Sequence, residues 1–310
     1  MADLDGSEQP VPVLEIEDGP GPAPGLAPFA FDSDPSRSPT TPWPWWTAVV
    51  ALLAALLLAT VAAFVIDLPA AAFGVNISSE HLPAGLTDLD LLVQDAAFVI
   101  AAVYCAQIGR RAVRSWQFGL RAPVAGWQRA VGLMLLLGVA YFALSAGWSA
   151  IFHPKREKLL DELGTDQGTL LLIASAALTC VVAPVGEEFL FRGYIFTALR
   201  NWRGTLPAAI LTGIVFGGVH AGTAPALDLV PLGFLGFGLC LLYRYTGSLY
   251  APMVVHSLNN SFAFAELEHW TFWQGALLFV SSLALLRGLV LLFTSIGLIA
   301  PAAGVSAPAA

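Results

Sequence analysis

The chain has 310 residues, 57% of them hydrophobic and only 12% charged, with a formal net charge of −8. A soluble domain carries about 25% charged residues, so a soluble globular protein is excluded and a polytopic membrane protein is indicated. The acidic excess is local: residues 1–40 hold eight acids and one base, Arg37, and the near-balance of the remainder excludes a nucleic-acid partner.

Residues 1–42 are rich in Pro, Gly and acids. Such a segment cannot bury enough apolar surface to order itself and reads as a disordered, solvated tail. The first apolar run begins near Trp45, too late for a cleaved signal peptide. Spanning a bilayer takes about 20 apolar residues. On that measure the expected fold is an all-α membrane helix bundle with about eight transmembrane helices, at 45–66, 89–108, 130–152, 168–199, 205–221, 227–245, 248–265 and 274–299. The fourth is overlong, and one end of it is expected to protrude along the interface. Trp43, Trp45 and Trp46 are expected to mark an interfacial belt. The organisation expected is a tail (1–42), N-terminal membrane helices (43–167), a polar-bearing helical core (168–265) and a last helix with its tail (266–310).

Arg110, Arg111, Arg114, Arg121 and Arg129 follow the second span. The positive-inside rule puts them, and the N-terminus, in the cytoplasm. Arg200, Arg203 and Arg244 then also fall inside, while Lys155, Arg156 and Lys158 fall outside with Glu157, Asp161 and Glu162. Twelve Arg against two Lys and abundant Ala suggest a GC-rich bacterial genome, hence the inner membrane. Cys105, Cys180 and Cys240 all lie in apolar runs and read as small core residues rather than disulfides or a zinc motif.

Three polar sets interrupt the apolar half. In the first, Val185–Tyr194 (VGEEFLFRGY), Glu188 and Arg192 are four apart with Glu on the N-terminal side, so they share a face and can pair. Glu187 points about 100° away and lacks that partner. A carboxylate at a membrane-helix centre costs about 2.5–3.5 kcal/mol on insertion scales. In the second set, Phe216 and His220 share a helical face, and Gly217 and Gly218 let a neighbouring helix approach. In the third, His256 and Asn260 share a face, Pro252 should kink or start their helix, and Asn259 should bond another helix. Taken singly, each set is as well explained by an interfacial acid, a buried His on a carbonyl, or interhelical glue.

Depth separates these readings. With a tight turn at about Arg203–Gly204, Glu187 lies 16 residues before Arg203 and His220 lies 17 after it. Both are then about 25 Å from the turn, level on antiparallel helices. A second turn near Gly247 puts His256 and Asn260 roughly 13–20 Å into theirs, and kinks at Pro184 and Pro252 can absorb the offset. A carboxylate beside a histidine in a dry cavity can activate water. A second histidine and an Asn amide can hold a tetrahedral oxyanion. Ser257 and Ser261 lack a base partner in the sequence, and H-E-x-x-H is absent. Glu187, His220 and His256 could instead hold one divalent metal such as zinc, leaving a water position; the residues leave metal-activated and glutamate-activated water both open.

The order E-E-x-x-x-R, F-x-x-x-H, H-x-x-x-N on successive apolar helices resembles the CPBP family, which comprises the type II CAAX prenyl endopeptidases and bacterial Abi-type intramembrane proteases. The matching residues are Glu187, Glu188 and Arg192, then Phe216 and His220, then His256 and Asn260, within about 168–265. The resemblance implies an intramembrane endopeptidase, glutamic or metallo, acting on a membrane-associated protein or peptide. Glu187 and His220 would activate water, His256 and Asn260 would hold the oxyanion, and Glu188, Arg192 and Phe216 would support them. Against this stand a non-catalytic immunity or scaffold protein that keeps the same residues, and a proton-coupled transporter using them as a relay.

Four further features complete the reading. Arg287, mid-span in the last helix, is expected to face the bundle. Asp95 is expected at the interface, and His81, His153 and His269 in solvent. Asn76–Ser78 matches a glycosylation acceptor of no consequence in a bacterial chain.

Overall fold

The computed structural model describes residues 43–77, 82–108, 113–152 and 168–299. The acidic tail, Arg110, Arg111, His81, His153, Ser78 and the charged run from Lys155 to Glu162 lie outside the described residues. Among the described residues eight long helices follow one another: α1 Trp45–Ala72, α2 Ala84–Ala106, α3 Trp127–Phe152, α4 Thr169–Arg203, α5 Thr205–Val219, α6 Leu229–Thr246, α7 Tyr250–Leu267 and α8 Phe272–Ser295. No strand occurs among the described residues. Each helix overlaps one of the expected spans. Six are long and apolar enough to cross a bilayer; α5 is shorter, at 15 residues, and the 18-residue α7 is not among the six. His256, Asn259 and Asn260 explain the lower apolarity of α7.

The arrangement is built around α4, which packs against α1, α2, α5, α6, α7 and α8. The apolar windows of α1, α3 and α8 are each 11% buried, against 44% for α2 and 50% for α6, so those three form the periphery. Phe189–Leu199 of α4 is buried throughout, whereas Thr169, Leu170 and Ile173 at its start and the residues from Asn201 at its end are exposed. Its C-terminal half is core because α1, α2, α5 and α6 surround it.

Two glycine turns set the register of the core. Gly204 (φ 82°) separates α4 from α5, and Gly247 (φ 64°) ends α6. Both lie in the left-handed region that glycine occupies without a Cβ penalty. The loop after α2 is stitched onto the second turn. Leu249 N–H donates to the Gly119 carbonyl at 2.8 Å, Arg121 Nε to the Gly247 carbonyl at 2.9 Å, and Ser248 Oγ to the Arg121 carbonyl at 2.6 Å. Arg200 lies close enough to Tyr243 and Arg244 to interact with both electrostatically, so Arg200 and Arg244 share one end of the bundle.

The tryptophans divide. Trp45 and Trp46 are exposed, and Trp45 stacks on Trp202 at 4.8 Å, as an interfacial belt requires. Trp43 instead is 3% exposed, packed against the rings of Phe118 and Tyr194. The ring of Phe118, held by the loop after α2, supplies the apolar surface that draws Trp43 inward. Cys105, Cys180 and Cys240 are free and buried.

Candidate active site

The site begins with an irregular backbone in α4. Residues Leu178–Val182 and Phe189–Phe196 are wound as π-helix, and Glu187 and Glu188 lie between them. Pro184 explains the first of these. Ala183 N–H reaches back to the Leu178 carbonyl, and Pro184 has no N–H to offer, so the Thr179 and Cys180 carbonyls lose their usual donors. A buried carbonyl must be satisfied from elsewhere. The polar face of α7 does this: Asn260 Nδ2 donates to the Thr179 carbonyl at 2.9 Å, and Ser257 Oγ to the Cys180 carbonyl at 2.6 Å. Pro252 sits in the first turn of α7, where a missing N–H is harmless, so it starts this helix.

The interhelical bond expected of Asn259 is made by Asn260 instead. Asn259 Nδ2 donates to Asn260 Oδ1 at 3.1 Å, while Asn260 makes the interhelical bond. The sequence could not show this, because the carbonyl that attracts Asn260 is freed by a proline on another helix.

Glu188 and Arg192 pair as their spacing predicts. Arg192 Nη1 donates to Glu188 Oε1 at 2.6 Å, with both side chains fully buried. Nη2 donates to the Gly236 carbonyl at 3.1 Å, and the guanidinium lies 4.3 Å above the Phe216 ring. That carbonyl is within reach because α5 and α6 nearly touch: a Cβ on Gly217 would fall 2.5 Å from the Leu229 carbonyl oxygen, and one on Gly213 would fall 2.7 Å from that of Gly233. Of the expected glycine pair, only Gly217 lies in this contact; Gly218 faces open space.

Glu188 has a second role that the motif does not display. Its Oε1 is also 2.9 Å from His256 Nδ1. A carboxylate accepts, so Nδ1 carries the proton and the ring is held with Nε2 turned toward Glu187, whose Oε2 lies 3.8 Å away. Phe216 packs between the two histidines, 5.0 Å from His220 and 5.6 Å from His256, centroid to centroid. His220 caps the end of α5, with Nδ1 2.7 Å from the Phe216 carbonyl. Since a carbonyl only accepts, Nδ1 donates, and Nε2 is the nitrogen left to face a ligand.

Glu187, Glu188, Arg192, Phe216 and His256 are all buried. His220 and Asn260 are half-buried, on the accessible side of the cluster. Glu187 Oε2 and Glu188 Oε2 have no hydrogen-bond partner among the described residues. Among the described residues, no group of three or more His, Cys, Asp or Glu is gathered as a metal-binding cluster.

Two acidic and basic residues sit otherwise than expected. Asp95 is not interfacial: it is 2% exposed, packed on Gly186 beside Glu187. α2 begins at Ala84 rather than 89, which places Asp95 deeper than the sequence reading allowed. The available signal was Asp88 seven residues earlier, on the same face; Asp88 accepts a bond from Ser175 of α4 at 2.9 Å. Arg287 is exposed on α8 rather than bundle-facing, because the buried stripe of that helix runs through Gly275, Ser282 and Leu286.

Residues 169–262 match the family model described as Rce1-like, type II CAAX prenyl endopeptidase. The chain is similar to the UPF0177 protein YxdF of Lactococcus lactis, 23% identical over 161 residues, which are 50% of this chain and 88% of that protein. It is also similar to "Putative membrane peptidase YdiL" of Bacillus subtilis, 31% identical over 93 residues, which are 30% of this chain but only 35% of that one. No solved structure matches. The matched segment covers α4, α5, α6 and most of α7, and with them every residue of the three polar motifs.

Proposed function

We propose that the protein is an intramembrane endopeptidase that hydrolyses peptide bonds of membrane-associated proteins with a water activated by Glu187. The observation that carries this reading is the approach of Glu187 Oε2 to His256 Nε2 at 3.8 Å, beside His220 and Asn260. That gap is too long for a direct hydrogen bond, and it leaves the buried, unpartnered Glu187 Oε2 to accept from a water. The match to a type II CAAX prenyl endopeptidase model over the same residues supports the reaction class.

In this mechanism Glu187 takes one proton from the water as its oxygen attacks the scissile carbonyl, and His220 Nε2 assists from the accessible side. The second N–H of Asn260 faces the oxyanion, and His256, its ring fixed by Glu188, faces it as a donor when Nε2 carries a proton as well as Nδ1. As the C–N bond breaks, the proton held by Glu187 passes to the leaving nitrogen. Phe216 and the Glu188–Arg192 pair keep both histidines in place. Chelator sensitivity remains the measurement that decides whether a divalent metal such as zinc takes part. The arginine-bearing end belongs in the cytoplasm of a bacterial inner membrane on this reading, with the N-terminus on the same side. Substrates then reach the site laterally or from the outer half of the bilayer.

The test is cleavage of a mixed library of membrane-anchored peptides by purified protein in detergent, with and without chelator. Glu187→Gln is expected to lower cleavage at least about 10³-fold while leaving the thermal unfolding midpoint in place. Equal cleavage by the variant would remove Glu187 from the chemistry and favour a non-catalytic binding protein.

A further inference from the structure

We propose that Asp95, on α2 and outside all three motifs, is a water-holding carboxylate of the same site, acting opposite Glu187. The inference rests on the protease reading above and adds a residue from the N-terminal half of the chain, beyond the segment that matches the family model.

Asp95 is 2% exposed, and neither of its side-chain oxygens has a hydrogen-bond partner among the described residues. Burying a carboxylate without a partner costs several kcal/mol, so a purely structural residue at this position would be apolar. The same helix shows the satisfied alternative. Asp88, two turns earlier, meets Ser175 of α4 at 2.9 Å. At the level of Asp95 the facing α4 residue is Gly186, which offers no donor and leaves room. A Cβ there would fall 2.9 Å from both Cβ and Oδ1 of Asp95. The glycine thus lets the Asp95 side chain lie against the α4 backbone directly beside Glu187.

Glu187 Oε2 is likewise buried and unpartnered, and the two carboxylates lie close enough to interact electrostatically. Two acids side by side in a membrane interior repel, and what relieves them is a shared donor. A water has two O–H groups. With one given to Glu187 and the other to Asp95, its lone pairs are left to meet a carbonyl carbon. The step balances as before: the O–H on Glu187 breaks as the C–O bond forms, that proton later moves to the leaving nitrogen as the C–N bond breaks, and the O–H on Asp95 stays intact and leaves as the O–H of the product carboxyl group. Asp95 therefore orients the nucleophile and takes no proton.

The experiment uses the full chain in detergent, comparing wild type, Asp95→Asn, Asp95→Leu and Glu187→Gln on a library peptide that the wild type cleaves, together with thermal unfolding of each. The expected result for Asp95→Asn is a kcat at least about tenfold lower, a scale typical of a lost positioning contact, with KM within about twofold and an unfolding midpoint equal to or above wild type. Asp95→Leu is expected to be inactive and to melt later than wild type. Asp95→Asn with wild-type kcat overturns the proposal. So does a lowered midpoint with raised KM in both Asp95 variants, the pattern of a structural acid. If Glu187→Gln cleaves as well as wild type, the protease reading itself falls and this proposal with it. Loss in Glu187→Gln with full activity in Asp95→Asn removes Asp95 alone.

Discussion

α4 and α8 are both long apolar helices, and composition alone would assign them the same part. They differ in what surrounds them. The apolar window of α8 is 11% buried, its winding is regular, and its one charge, Arg287, lies exposed. That of α4 is 33% buried, and the helix contains two π-wound stretches and three buried charged residues, Glu187, Glu188 and Arg192. The difference teaches that charge inside this bundle is held by partners from several helices at once. Arg192 alone draws on Glu188 of its own helix, Gly236 of α6 and the Phe216 ring of α5. A peripheral helix has too few neighbours to supply such a set.

The strongest way to break the comparison is to remove one member of that set. Arg192→Ala leaves Glu188 buried and uncompensated and is expected to destabilise by about 3–5 kcal/mol. Thermal unfolding in detergent measures it, and the double variant Glu188→Met/Arg192→Met should recover much of the loss. Gly217→Ala comes next. Its Cβ would lie 2.5 Å from the Leu229 carbonyl oxygen, a backbone atom that cannot step aside, so about 1–3 kcal/mol of overpacking is expected. Gly218→Ala, one residue on with nothing within 4 Å, is the control and should be neutral or slightly stabilising.

Ser257→Ala sharpens the contrast further by orphaning the Cys180 carbonyl that Pro184 leaves open. Its expected effect is about 1–3 kcal/mol, toward the lower end where a water can replace the hydroxyl. Replacing Pro184 by Ala in the same background should restore part of it by returning the missing N–H. The smallest effect belongs to α8: Arg287 is exposed and interacts electrostatically with Tyr250, and Arg287→Gln should change the unfolding free energy by less than about 1 kcal/mol. A large loss there would show that α8 is not the passive helix its exposure describes.

All eight helices were legible from apolar runs, because run length against bilayer thickness is a property of the chain alone. The motif residues were legible too, since i,i+4 spacing puts Glu188 with Arg192, Phe216 with His220, and His256 with Asn260 on shared faces before any packing is known. What spacing could not reach were contacts between helices. The bond from His256 to Glu188 joins residues 68 apart, and the bond from Asn260 to Thr179 joins residues 81 apart. Neither leaves a local trace.

The sequence by itself determined that the protein lives in a membrane, that its chain folds into helices, and that three polar sets occur in the last half. These follow from transfer energies and helical periodicity, which act residue by residue. Only the tertiary structure decided that Glu188 orients His256, that Asn260 rather than Asn259 ties α7 to α4, that Arg287 faces outward, and that Asp95 reaches the site from α2. Each of these depends on which helices become neighbours, and a buried polar group takes its role from the partner that packing brings to it.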